Sequence, residues 1–183
     1  MEYTKQIETQ DLILGKSKQE DLESIFNNYW ISETSAKYML WVPQKNLQEA
    51  QDRLDRTIKF QKDHLAFMVY LKQTGEAIGQ VGFFEKEPKV FEDMGIGIGE
   101  KFVGKGYGKQ ILTAMIDYMF ENLDAEKVLC TCHTDNIASA KMQQSCGLKY
   151  THSEPFTREK DNLTYKSDCY QITREDWLLR KNK

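Results

Sequence analysis

No apolar run in the chain approaches the roughly 20 residues that a membrane-spanning helix needs, so nothing in the sequence reads as a span. Positive charge is also short, with 25 Lys and Arg against 28 Asp and Glu, a net charge of −3 and a pI near 5.7. Without a basic field the chain has no electrostatic footprint for nucleic acid, and the charge balance only weakly favours a cationic or neutral acceptor. The opening Met1-Glu2-Tyr3-Thr4 lacks the basic and then apolar segments of a leader, and the cysteines number only four. A cytoplasmic protein with free thiols is expected. Metal-type spacing is missing too, because Cys130-x-Cys132-His133 has neither C-x-x-C spacing nor a second ligand pair. Cys130 and Cys132 read instead as small hydrophobes on one face of a strand, and no metal is expected. There are no internal repeats, low-complexity segments or linkers, and 183 residues at 40% hydrophobic composition suit a single well-buried domain over 1–183.

Glycine, by contrast, is concentrated. Six of the eleven glycines fall between Met94 and Lys109. The first part alternates Gly95, Ile96, Gly97, Ile98, Gly99, so an extended strand puts both isoleucines on one face and leaves the other bare, open to a ligand's approach. The second part, Gly104-Lys105-Gly106-Tyr107-Gly108-Lys109, runs into a stretch where Ile111, Leu112, Met115, Ile116, Met119, Phe120 and Leu123 recur with helical spacing. Strand, glycine loop and helix follow one another, an arrangement whose successive N–H groups and helix dipole suit a phosphate or pyrophosphate. It is not a Walker A loop, since Gly106 stands where a magnesium-binding Ser or Thr belongs, nor a G-x-G-x-x-G dinucleotide fingerprint. A tight turn and close helix packing would also use such glycines.

Along the chain, Asp11 to Leu14 reads as a first strand and Ser17-x-x-Glu20 as a capping box before a helix striped by Leu22, Ile25, Phe26, Tyr29 and Trp30. Asn27 to Ser35 is polar and loop-like, Lys37 to Asn46 is an aromatic-rich loop broken by Pro43, and Leu47 to about Lys62 forms a narrow amphipathic helix. Leu65 to Leu71 and Ala77 to Glu85 read as a hairpin, with a third strand from Val90 or Phe91 to Ile98. Lys127 to Thr134 is a further strand, parallel to Met94–Ile98 if the intervening helix is a crossover. A helix over Ile137 to Cys146, strands at Leu148 to His152 and Thr164 to Ile172, and a cap at Thr173-x-x-Asp176 complete the order. The result is β-α-α-β-β-β-α-β-α-β-β, an α/β (α+β) fold with a mixed sheet of about seven strands and helices on both faces.

Val103-Gly104-Lys105-Gly106-Tyr107-Gly108 resembles the acyl-CoA-binding loop of the GNAT N-acetyltransferases, Gln/Arg-x-x-Gly-x-Gly/Ala, with Val103 departing from the Gln/Arg position. Asn136-x-x-Ser139 followed by Gly147-Leu148 is similar to the family's Asn-x-x-Ser/Ala…Gly-Phe segment. Thr9-x-x-Leu12-x-Leu14 and Tyr170-x-Ile172-Thr173-Arg174-Glu175-Asp176-Trp177 resemble the flanks of the branch that acetylates ribosomal-protein N-termini, so the resemblance covers about 9–177. It implies the GNAT fold, acetyl-CoA as co-substrate and direct transfer of an acetyl group to a primary amine in a ternary complex. The acceptor is then a protein N-terminus, or a small amine such as a polyamine, amino sugar or amino acid. A non-catalytic acyl-CoA-binding module is the alternative of another class.

The resemblance also assigns roles. The N–H groups of Val103, Gly104, Lys105, Gly106, Tyr107, Gly108 and Lys109 would hold the pyrophosphate. Ile96 and Ile98 would present backbone groups to the pantetheine arm and thioester, and Asn136 and Ser139 would touch the cofactor. Glu92 and Asp93 stand where similar enzymes place an acidic residue that receives the amine proton, directly or through water. The tyrosine that many members use toward the leaving thiolate is replaced by Gln143, which leaves Ser139 as the candidate there. Asn27 to Asn46 and Glu154 to Thr164 are expected to shape the acceptor pocket, and a monomer or homodimer is compatible with the sequence.

Overall fold

The apolar run at Leu12 to Leu14 forms a strand, but another precedes it. Strand β1 (Gln6–Glu8) pairs antiparallel with β2 (Leu12–Gly15), placing Ile7 opposite Leu14. In the computed structural model, which describes residues 3–182, the mixed sheet has eight strands where the sequence suggested about seven. Three residues with no fully buried side chain carry too little pattern to read as a strand. The chain divides into two compact units. The first takes in residues up to Phe83 together with Met94–Ile111, the second Phe84–Asp93 together with Leu112 onward.

In the first unit β2 pairs antiparallel with β3 (Leu65–Leu71) and β3 with β4 (Ala77–Glu87), whose other neighbour is β5 (Val90–Ile98). The predicted helix after β2 is in fact three short pieces: a 3-10 turn at Gln19–Asp21, α1 (Leu22–Ile25) and a π turn at Phe26–Trp30. The wide turn is closed by the Ile31 N–H on Phe26 C=O at 3.1 Å. Its apolar stripe is buried as expected, with Ile25, Phe26, Tyr29 and Trp30 packed against Ala50, Leu54, Met68 and Ala77. Asn27 to Ser35, read as loop, is largely helical, because the Ser32 side chain accepts the Ser35 N–H at 3.1 Å and starts α2 (Glu33–Ala36). The capping box lies one residue later than predicted. The Asp21 carboxylate accepts the Lys18 N–H at 2.6 Å, while the Ser17 N–H donates to buried Gln61 at 2.7 Å. Asn46 caps α3 (Leu47–Gln61) by accepting the Glu49 N–H at 2.9 Å; Ala50 and Leu54 face the core, whereas Leu47 is exposed.

In the second unit β6 (Lys127–His133) runs parallel to β5, pairing Lys127, Val128 and Leu129 with Val90, Phe91 and Glu92. The sequence placed this pairing at Met94–Ile98; the ladder instead ends at Glu92. The Asp93 carboxylate then accepts the Thr131 N–H at 2.8 Å, in place of a strand carbonyl. β8 (Leu163–Thr173) pairs antiparallel with β6, and β7 (Lys149–Arg158) with β8, giving the order β5-β6-β8-β7. Glu154 to Thr164, expected as an irregular segment, is therefore mostly the outer part of a hairpin. β7 is exposed along nearly its whole length, so no alternation marks it in the sequence. Helix α4 (Tyr107–Asn122) buries Leu112, Met115, Ile116, Met119 and Phe120 in this unit, and α5 (Ile137–Ser145) follows β6. Trp177 on α6 (Arg174–Lys181) stacks on Phe120 at 5.2 Å and donates to Asp117 at 2.7 Å. Among the described residues no helix is long and apolar enough to cross a membrane.

Candidate active site

The two halves of the glycine run behave differently. Beyond Gly95, the bare face at the end of β5 is already occupied: a Cβ at Gly97 would sit 2.0 Å from the Tyr29 hydroxyl, and one at Gly99, just past the strand, would sit 1.8 Å from the Asn28 carbonyl oxygen. Gly97 and Gly99 let the π turn press onto the chain, so the ligand approach expected there is taken by protein, while Gly95 lines the cavity described below. Ile96 and Ile98 beside them are half-buried. The loop is the opposite case. Gly104 and Gly106 have φ of +82° and +80°, and nothing lies within 4 Å of a Cβ built at either. Val103 and Lys105 are exposed, as is Lys109 in the first turn of α4, which starts at Tyr107 and Gly108. The first N–H groups of α4 have no intrahelical acceptor. Gln110 anchors this helix start: its Oε1 accepts the Thr9 hydroxyl at 2.8 Å and the Asp11 N–H at 3.1 Å, and its Nε2 donates to Asp11 at 2.6 Å.

The first unit also holds a cavity of about 400 Å³. Its lining includes Tyr29, Trp41, Arg53, Arg56, Gln80 and Met94, from the π turn, the following loop, α3 and the adjoining strands. The Arg53 guanidinium packs against both Trp30 and Trp41, 4.6 and 4.5 Å from their ring centroids. Its Nη2 donates to Gln80 Oε1 at 3.4 Å, an oxygen that also accepts Trp30 Nε1 at 3.0 Å. Burial pulls Arg53 down to about 10, with Arg56 adding repulsion, and pushes the Tyr29 phenol up to about 12. Both groups stay protonated at neutral pH. Arg53 lies off the narrow apolar stripe of α3. Its position three residues after Ala50 and four before Thr57, on the edge of the apolar stripe, is the signal that marks it.

In the second unit Glu92 forms an ion pair with Lys86 at 2.6 Å, which raises the lysine's pKa, and Asp93 is bound to Thr131 as described. Asn136 caps α5, accepting the Ser139 N–H at 3.2 Å. The Ser139 hydroxyl accepts from Gln143 Nε2 at 3.2 Å, and Gln143 Nε2 also reaches the Thr131 carbonyl at 3.3 Å. Gln143 is buried, and its Oε1 has no hydrogen-bond partner among the described residues. Asn136, Ser139 and Gln143 thus form one connected group around the start of α5, with Thr131 on β6 linking it to Asp93.

Cys130 and Cys132 are buried on one face of β6, and His133 stacks on Tyr165 at 4.2 Å, so the three do not converge. His152, Glu154 and Cys169 bring donor atoms within 4.8 Å of one another on the β7–β8 hairpin, a three-donor group with two exposed members. Burial pushes the Cys130 thiol well up and the Cys132 and Cys169 thiols to about 11. At pH 8 a thiol of pKa 11 is ionised to only about one part in a thousand. Iodoacetamide at pH 8 should therefore leave Cys130, Cys132 and Cys169 of the folded protein unmodified over an hour, by mass spectrometry; alkylation of any of the three within that time would contradict this.

Residues 11–149 match the model of the family described as acetyltransferase (GNAT) domain. Among curated proteins, the uncharacterized N-acetyltransferase p20 of Bacillus licheniformis is 27% identical over 142 residues, 75% of this chain and 78% of that protein. The FsC-acetyl coenzyme A-N(2)-transacetylase of Aspergillus fumigatus is 35% identical over 101 residues, 51% of this chain and 42% of that protein, so the match spans less than half of the fungal enzyme. In fold, the chain is similar to the crystal structure of a GNAT-family acetyltransferase from Bacillus anthracis, with a TM-score of 0.80 at 18% identity over 93% of this chain and 99% of that one. With its glycine loop opening a helix and three quarters of its length inside the family model, the chain belongs to the GNAT family of acetyltransferases.

Proposed function

We propose that the chain is one catalytic domain that uses acetyl-CoA to acetylate a primary amine, by direct attack in a ternary complex, with the acceptor seated in the cavity beside Tyr29 and Arg53. The observation that carries the cofactor assignment is the loop from Val103 to Lys109. Its two left-handed glycines leave open space where side chains would stand, and it ends on the N–H groups of α4. That shape fits a pyrophosphate, held by backbone N–H groups with Lys105 and Lys109 adding charge. The fungal relative's name, an acetyl coenzyme A transacetylase acting at nitrogen, agrees with the assignment.

Bound acetyl-CoA would supply the thioester carbonyl. The chain must then receive the amine's proton and return one to the departing sulfur. Glu92 or Asp93 is the candidate for the first task, through water where the carboxylate stays on its present partner. Ser139, already hydrogen-bonded to Gln143, is the candidate for the second, with a backbone N–H near Ile96 to Ile98 facing the carbonyl oxygen.

A cavity of about 400 Å³ favours a small amine as acceptor. A protein N-terminus, as in the ribosomal-type branch, is the second reading, favoured by exposed Ile31, Leu40 and Val42 in the segments flanking cavity-lining Met39 and Trp41. Calorimetric titration with acetyl-CoA, followed by thiol release against amino acids, spermidine, glucosamine and short peptides, tests the proposal. Binding in the micromolar to millimolar range typical of enzyme substrates and turnover of at least one small amine are expected. Binding without turnover of any amine or peptide would point to an acyl-CoA-binding module, and no binding at all would sink the proposal.

A further inference from the structure

Net charge only weakly favours a cationic or neutral acceptor, and the cavity that would receive it is lined by two arginines and by no aspartate or glutamate. Resting on the acetyltransferase reading above, we infer that the acceptor carries a carboxylate beside its amine, held by Arg53 together with Arg56. Arg53 is the built part of this site. Its guanidinium carbon lies 4.6 and 4.5 Å from the ring centroids of Trp30 and Trp41, and its Nη2 reaches Gln80. Its Nη1 is buried and has no hydrogen-bond partner among the described residues.

A guanidinium taken out of water without a counter-ion is costly unless an anion completes the site. It cannot escape the cost by losing its proton at neutral pH. With Trp30 and Trp41 packed against it and Gln80 taking one N–H, the guanidinium lacks a counter-ion, and a planar two-oxygen acceptor entering the cavity that Arg53 and Arg56 both line would supply it. Arg56, exposed and also on the cavity lining, adds a second positive charge to the same volume. A polyamine would bring like charges into this space. Phe60, Phe67 and Met94 line the rest, so the side chain best accommodated is apolar. The substrate class is therefore an apolar α-amino acid or a derivative that keeps its carboxylate.

The experiment compares matched pairs at saturating acetyl-CoA: L-phenylalanine against phenethylamine, and L-lysine against cadaverine, with spermidine and phosphoethanolamine as further arms. A preference of about 30-fold or more in kcat/KM for the carboxylated member of each pair is expected, as for a site whose charged group is left unpaired by the wrong ligand. Arg53→Gln should bring that ratio close to one while acetyl-CoA affinity stays as in wild type, and Arg53→Lys should restore part of it. Arg56→Gln, at an exposed position where folding is not at stake, should reduce the ratio several-fold.

Equal or better use of phenethylamine, cadaverine or spermidine overturns the inference, and a preference for phosphoethanolamine over every amino acid overturns the carboxylate assignment. Should no amine turn over, quenching of Trp30 and Trp41 fluorescence by N-acetyl-L-phenylalanine, set against N-acetylphenethylamine, decides the matter without catalysis. Quenching by the carboxylate alone, lost in Arg53→Gln, supports the site even if the enzymatic reading fails; quenching by neither, or by both equally, overturns it.

Discussion

A Gly106→Glu variant should lose acetyl-CoA affinity by on the order of 10³-fold while remaining folded. Gly106 sits at φ +80° with nothing within 4 Å of a built Cβ, so the new side chain meets no steric obstacle. The backbone strain of a non-glycine residue in the left-handed region costs about 1–2 kcal/mol, which in a chain of this size lowers Tm by only a few degrees. The binding cost is electrostatic. A carboxylate on this loop would stand within about 4 Å of a pyrophosphate held by the neighbouring N–H groups, and at an effective dielectric near 20 each such charge pair opposes binding by about 4 kcal/mol. Gly106→Ala imposes the same backbone strain without the charge and should cost less than about tenfold. Raising the salt should narrow the gap between the two variants, since the loop is exposed. Calorimetry on the three proteins checks this. Wild-type affinity in Gly106→Glu would show that the loop does not hold the phosphates, and equal losses in both variants would assign the effect to backbone shape.

Much of this arrangement was legible in the sequence because it is written in local patterns. The strand-loop-helix passage from Val90 to Asn122 shows itself through its glycine spacing and the helical recurrence of Leu112, Met115, Ile116 and Met119. The cap at Thr173 is likewise made by a residue whose side chain acts within three positions. What escaped is what long-range contacts decide. β1 and the outer half of the β7–β8 hairpin are strands by pairing alone, with exposed residues that carry no alternation. The register of β6 on β5 is three residue pairs long and stops where the Asp93 side chain replaces the ladder. Arg53 looks like one more charge on a solvated helix until Trp30, Trp41 and Gln80, which lie up to 27 residues away in sequence, close around it. The alternating glycines of β5 announced a close approach correctly, but the chain could not say whether the approaching group was a ligand or Tyr29.

That last distinction yields the largest expected stability effect. Gly99→Ala places a Cβ 1.8 Å from the Asn28 carbonyl oxygen and 2.9 Å from its carbon, both backbone atoms. Gly99 has φ −59°, which any residue adopts, so the penalty is purely one of space. Neither side can yield cheaply. The Gly99 N–H donates to the Ile78 carbonyl at 2.8 Å, and the Asn28 side chain donates to the Ala77 carbonyl at 3.1 Å, tying both segments to β4. The flanking Tyr29 and Trp30 are fully buried. Relief requires the π turn to move as a body, and overpacking of that kind costs about 3 kcal/mol or somewhat more, equivalent to a Tm lower by roughly 6–12 °C. Gly75→Ala is the control, since Gly75 at φ +75° has nothing within 4 Å and carries backbone strain alone, about 1 kcal/mol. Thermal unfolding followed by circular dichroism measures both, and a Gly99→Ala melt within 2 °C of wild type, on the order of 1 kcal/mol or less, would mean the strand and the turn are not pressed together. If Gly99→Ala melts early yet binds acetyl-CoA with wild-type affinity at a temperature where it is folded, the glycine run separates into two functions, packing on the strand and ligand contact on the loop.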